Sequence, residues 1–212
     1  MPLIKIEQVA TSATIGIWKA TENPEWFLEQ LPLGLLAGYD SGKFSESRKR
    51  EFLASRFLLK KLLRDDNLPF EIINGKLTVM GGNPSISISH SKEMMAVIVS
   101  ENQPAGIDIE EISPRVKKIM SKFLNPAELF LLGNEPELWR VMLAWSAKES
   151  IYKMMGVPGI SFANDILLDI PQRENDTGFD AMVKKNGQQR KVRIFFERAN
   201  DFILTYCLNN DK

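Results

Sequence analysis

The sequence predicts an α/β chain built from two similar halves, each with one strongly patterned helix and several strands. Three observations carry this expectation. Apolar residues recur at helical spacing over residues 45–64 and again over 136–155. Short alternating or β-branched runs flank both helices. Midway, the polar stretch Glu101-Asn102-Gln103-Pro104 ends in proline and divides the chain into residues 1–104 and 105–212.

The elements follow in order. Thr14-Ile15-Gly16-Ile17-Trp18 alternates as an early strand. The first helix takes its apolar side from Phe52, Phe57, Leu59, Leu62 and Leu63, and Lys49, Arg56, Lys60 and Arg64 share a basic face. Asn74-Gly75 predicts a hairpin turn between Glu71-Ile72-Ile73 and Lys76-Leu77-Thr78-Val79, because glycine tolerates positive φ. Strands are expected over 85–89, 95–100 and 107–110. Residues 113–132 read as broken helix, interrupted at Pro126. The second long helix begins near Pro136 and ends at Met155, with Gly156 suited to the position beyond it. Its stripe is Leu138, Val141, Met142, Trp145, Tyr152 and Met155, so Trp145 reads as a core anchor. Asn186-Gly187 predicts a second hairpin, and residues 201–208 a final strand.

Bulk properties bound the function. The chain has 212 residues, 44% hydrophobic and 25% charged, an ordinary globular balance. Lys plus Arg and Asp plus Glu both total 27, so no overall field argues for nucleic acid or membrane. Cys207 is the only cysteine, which precludes an intrachain disulfide and suits a reducing, cytoplasmic setting. With His90 the only histidine, a His/Cys zinc site is not expected, and any metal would be hard and oxygen-ligated. No signal peptide is read at the N-terminus, and no apolar run reaches the ~18 residues of a membrane span.

Two segments carry chemistry. In Gly106-Ile107-Asp108-Ile109-Glu110, strand alternation turns Ile107 and Ile109 to the core and Asp108 and Glu110 outward together. Such a pair is either a solvated strand edge or a seat for a divalent cation, which relieves the repulsion of the two carboxylates. In Trp145-Ser146-Ala147-Lys148-Glu149-Ser150-Ile151-Tyr152-Lys153, Glu149 adds a third carboxylate between two lysines. Lys148 and Lys153 suit phosphate oxygens. Alternatively, Glu149 pairs with Lys153 at i,i+4, stabilising the helix by about 0.3–0.5 kcal/mol. His90, at a strand end beside Ser89, suits a hydrogen bond to phosphate or a structural role. Arg56 stands out because apolar residues surround it.

These residues resemble the 4′-phosphopantetheinyl transferases, specifically the larger, surfactin-synthetase-activating type. Gly106, Asp108 and Glu110 match the family's Gly-x-Asp-x-Glu strand, and Trp145, Lys148, Glu149 and Lys153 its Trp-x-x-Lys-Glu-x-x-x-Lys helix. Ile88-Ser89-His90-Ser91 matches an upstream strand, with Ser87 standing where Asn is common. Arg56 fits the family's Arg in a leucine-rich helix, and Phe123-Leu124-Asn125-Pro126-Ala127-Glu128 its Phe-x-x-x-x-Glu segment.

The resemblance implies two α/β halves forming a pseudo-dimer in one chain, and a monomer is expected; the charge balance gives no reason to expect nucleic-acid or membrane partners. It implies transfer of the phosphopantetheine arm of coenzyme A to a serine of an acyl or peptidyl carrier protein, releasing adenosine 3′,5′-bisphosphate. Asp108, Glu110 and Glu149 would ligate Mg²⁺, with Glu149 also taking the serine proton. Lys153 would contact the pyrophosphate, and Arg56, Ser89, His90 and Lys148 the nucleotide phosphates. Lys117, Lys118 and Lys122 with Met120, Phe123 and Leu124 read either as a docking patch for the carrier or as an ordinary amphipathic helix. The alternative is a coenzyme A or carrier-binding module without turnover.

Overall fold

A computed structural model describes residues 3–65, 68–173, 176–185, 187–199 and 201–209. Two compact units divide it, Met1–Ala105 and Gly106–Lys212.

In the first unit, β1 (Leu3–Ala10) and β2 (Ala13–Lys19) form a hairpin. β3 (Phe70–Ile73) and β4 (Lys76–Val79) pair as a separate ribbon. Its turn is the expected Asn74-Gly75, with φ of 50 and 77°, the double positive φ of a tight hairpin. β5 (Ser85–Ser91) and β6 (Met94–Ser100) complete a sheet ordered β1-β2-β6-β5. β1 was not read from the sequence. It is an edge strand with Ile4 and Ile6 exposed, so it lacks a buried stripe.

Two helices cover this sheet. α1 (Pro24–Leu28) is capped by the Asn23 side chain. α2 (Glu46–Leu62) is capped by Ser45, which accepts from the Arg48 N–H at 3.3 Å. It packs on β2 and β6. Trp18, Phe27 and Phe57 meet edge to face at the centre of this core, with Trp18 and Phe57 centroids 5.2 Å apart. Arg56, expected on a basic face, is instead buried.

The second unit begins in β7 (Ala105–Glu111). A 3₁₀ turn (Pro114–Lys118), α3 (Met120–Phe123) and α4 (Pro126–Leu132) occupy the region expected to be broken helix. α5 (Leu138–Met155) follows, then α6 (Phe162–Asp165). β8 (Ile166–Leu168), β9 (Gly178–Lys185), β10 (Gln188–Ala199) and β11 (Phe202–Leu208) give a sheet ordered β7-β11-β10-β9-β8. Gly156 ends α5 in the left-handed region at φ 63°. In the second expected hairpin, Asn186 lies outside the described residues, while Lys185 pairs with Gln188 across it.

α5 is buried almost all round rather than along one stripe: residues from Trp139 to Met154 on every side of it are inaccessible. β11 covers one side, and α3 with the preceding 3₁₀ turn also packs against it. No helix among the described residues is long and apolar enough to cross a membrane.

The two units share a plan. In each, the strand that leads into the helices lies beside the last strand, which lies beside the one before it: β2-β6-β5 and β7-β11-β10. In each, a glycine on that strand lets the long helix approach it. A Cβ on Gly16 would meet Leu58 and Leu62, and one on Gly106 would meet Ser150 and Met154. Matching these pairs sets Trp18 against Asp108, Phe57 against Glu149, Lys61 against Lys153 and Arg56 against Lys148. An aromatic core in one unit thus corresponds to an acidic cluster in the other.

Candidate active site

The cluster is built where α5 crosses β7. A Cβ at Gly106 would lie 1.9 Å from the Ser150 carbonyl oxygen and 2.8 Å from the Met154 nitrogen, so only glycine permits this approach. Small residues do the same on β11: the Ser146 and Thr205 hydroxyls share a hydrogen bond of 2.9 Å, and Cys207 lies against Ser150. Burial pushes the Cys207 thiol up to about 12, so it remains a neutral packing group.

Two strand residues advance about 6.6 Å, whereas the eight helical residues from Trp145 to Lys153 advance about 12 Å, so the long side chains span the difference. Asp108 Oδ1 accepts from Lys153 Nζ at 2.6 Å, and two strand residues on, Glu110 Oε1 accepts from Trp145 Nε1–H at 3.0 Å. Glu149 lies midway between Trp145 and Lys153 on the same helix face. Asp108 and Glu110 do share one face, but it is the face that α5 covers. Asp108 is therefore buried and Glu110 half-buried, not solvated as a strand edge. Burial raises the Glu149 carboxyl above its ordinary value, the negative charge of Asp108 adds to this, and Lys153 opposes it.

Lys148 departs from expectation. Its side chain is fully inaccessible, and its three ammonium N–H groups are shared among four acceptors, Glu128 Oε2 (2.7 Å) and the carbonyls of Phe123 (2.9 Å), Phe162 (2.8 Å) and Ile166 (2.8 Å). With four acceptors already around it and no exposure, it is an internal strut rather than a phosphate contact. Glu128 is equally occupied. It forms a capping box with Asn125 and accepts from the Leu168 N–H at 2.8 Å. Breaking such a buried pair from one side costs about 3–5 kcal/mol.

In the first unit, Arg56 lies over the Phe52 ring at 4.6 Å, and among the described residues its Nε has no hydrogen-bond partner. Burial, followed by repulsion from Arg48, lowers its pKa to about 10. Ser89 is buried on β5, and His90 is exposed at its end. His90 Nε2 lies 3.1 Å from Arg48 Nη1, and Glu51 approaches both groups. Arg48 was missed by sequence reasoning. Its only signal was a place two helical turns before Arg56, and its contact with His90 is tertiary. Trp145 was also missed as a site residue, although a half-buried indole N–H needs an acceptor.

Among the described residues, no three carboxylate, histidine or cysteine groups gather as a ready metal cluster. Two of the three expected acids are instead engaged by Lys153 and Trp145. The donor set remains all oxygen, and the mutual repulsion of Asp108 and Glu149 is what a hard cation relieves, so the residues fit Mg²⁺ chemically.

The family model of the 4′-phosphopantetheinyl transferase superfamily matches residues 104–207. 4′-Phosphopantetheinyl transferase AcpT of Salmonella typhi is 31% identical over 138 residues, which cover 60% of this chain and 67% of that relative. The AcpT of Salmonella typhimurium matches with the same identity and coverage. The chain belongs to the 4′-phosphopantetheinyl transferase superfamily. The matched span of this transferase runs from β7 to β11 and so contains the whole acidic cluster, with Gly106, Asp108, Glu110, Glu149 and Lys153.

Proposed function

We propose that this transferase, of the larger single-chain type, moves the 4′-phosphopantetheine arm of coenzyme A onto a serine of an acyl or peptidyl carrier protein. The observation that carries the reading is the strand–helix crossing that sets Asp108 against Lys153 with Glu149 beside them. The serine oxygen attacks the phosphorus bearing pantetheine. The new P–O bond forms as the pyrophosphate bond breaks, and adenosine 3′,5′-bisphosphate leaves.

Such a transfer needs alignment and charge neutralisation more than covalent help. Asp108, Glu110 and Glu149 would hold Mg²⁺, which supplies neutralisation of the pyrophosphate charge. Lys153 swings from Asp108 to the pyrophosphate and stabilises the leaving side. Glu149, with its carboxyl raised by burial, takes the serine proton. Arg56, Ser89 and His90 hold the nucleotide phosphates. A buried guanidinium whose Nε has no hydrogen-bond partner among the described residues supports that role for Arg56. His90→Ala should raise the KM for coenzyme A while leaving kcat at saturation near wild type. A collapse of kcat at saturating coenzyme A would remove this assignment.

The carrier patch needs revision. Phe123 and Leu124 are buried and cannot dock a partner. Lys117, Lys118 and Lys122 are exposed, and so are Phe130 and Leu131 on α4, basic and apolar groups of the kinds that suit an acidic partner. Reversing charge at Lys117 and Lys118 should raise the carrier KM and spare that for coenzyme A. Unchanged carrier kinetics would count against this surface.

The overall reading is tested by incubating the protein with coenzyme A, Mg²⁺ and a panel of apo-carrier proteins and weighing the carriers by mass spectrometry. A gain of one phosphopantetheine supports it. Binding without modification favours a module without turnover, and coenzyme A cleavage without an acceptor favours a phosphohydrolase.

A further inference from the structure

We propose that Lys148 is a positioning residue: through the backbones of Phe123 and Phe162 it fixes the aromatic cradle that aims Trp145 at Glu110. The inference rests on the transferase reading of Glu110.

Every link is a contact within the second unit. The Lys148 ammonium donates to the carbonyl oxygens of Phe123, which ends α3, and of Phe162, which begins α6. The rings of those same two residues flank Trp145, with centroids at 5.1 and 5.7 Å. The indole held between them donates its Nε1–H to Glu110 Oε1. Lys148 also ties Glu128 and the Ile166 carbonyl to the same point. An ammonium is the side-chain group suited to acceptors converging from several segments, since it offers three donors and no acceptor. Lys148 touches no reacting atom. It is the residue next to Glu149, turned inward while Glu149 faces β7, so one helical turn both presents a carboxylate and locks the cradle that orients another.

The test uses the full chain labelled with ¹⁵N at its indoles. The Trp145 signal is identified by its loss in Trp145→Phe. Two variants probe the links separately. Lys148→Met removes the donor. Phe162→Leu keeps the carbonyl acceptor and removes only the ring, so it leaves the fold intact if Lys148→Met does not. Both should shift the Trp145 indole N–H resonance and speed its exchange with solvent. Both should lower kcat for carrier loading about 10–100-fold, as loss of an outer partner does, with the KM for coenzyme A unchanged. A folded variant of either kind with a wild-type indole signal and wild-type kcat would overturn the proposal. Failure of the wild-type protein to load any carrier would instead overturn the transferase reading, and the indole signal would still decide the positioning claim.

Discussion

Glu149→Gln should lower the rate of carrier loading about 10²–10⁴-fold, the range for removing a positioned general base. The substitution keeps shape and hydrogen-bonding capacity but removes both the proton acceptor and one negative charge. The fold should survive, because Glu149 is only half-buried and its burial disfavours the charged form. Asp108→Ala should be as severe for a different reason. It frees Lys153 from the contact that holds it over the strand and removes one of the two strand acids facing α5. Measured at saturating coenzyme A and Mg²⁺, either variant retaining more than a tenth of wild-type kcat would contradict the roles given to these acids. Thermal unfolding of the same samples separates lost chemistry from lost structure.

Gly106→Ala is the second large effect, and it acts through geometry. The new methyl meets helix backbone, not the tip of a movable side chain. Overpacking of a core costs about 1–3 kcal/mol when side chains can yield, and here they cannot, so at least that much is expected. α5 must lift from β7, which separates Glu149 and Lys153 from Asp108 together. A fall in the urea midpoint with loss of activity is the expected pair of results. A variant of wild-type stability and activity would mean that the close approach is not required. Gly16→Ala makes an instructive control, since its obstruction is the flexible ends of Leu58 and Leu62 and its unit lacks the acids.

Local patterns made much of the frame legible. Alternating isoleucines announced β5 and β7, Asn74-Gly75 announced its turn, and Gly156 announced the end of the second long helix. The order of motifs also pointed to the acids before their geometry was seen. What stayed hidden depends on tertiary cover. Strand alternation places Asp108 and Glu110 on one face but does not say that a helix will lie on that face. A lysine between Ala147 and Glu149 looks like surface until Glu128 and three carbonyls surround it. Arg48 gains meaning only when β5 brings His90 beside it. The separate roles of Lys148 and Arg56, which hold corresponding helix positions, follow from their partners: a carboxylate and carbonyls for one, a phenyl face and a neighbouring arginine for the other.

The central claim is that acids from β7 and α5 close on one hard cation when the diphosphate arrives. A crystal structure of the protein with coenzyme A and Mg²⁺ tests it most directly. The account predicts one ion with oxygen atoms of Asp108, Glu110 and Glu149 in its octahedron, about 2.0–2.1 Å away or through a single water, and Lys153 moved from Asp108 to the pyrophosphate. Coenzyme A bound with its cation held by other residues, and Lys153 still on Asp108, would contradict it.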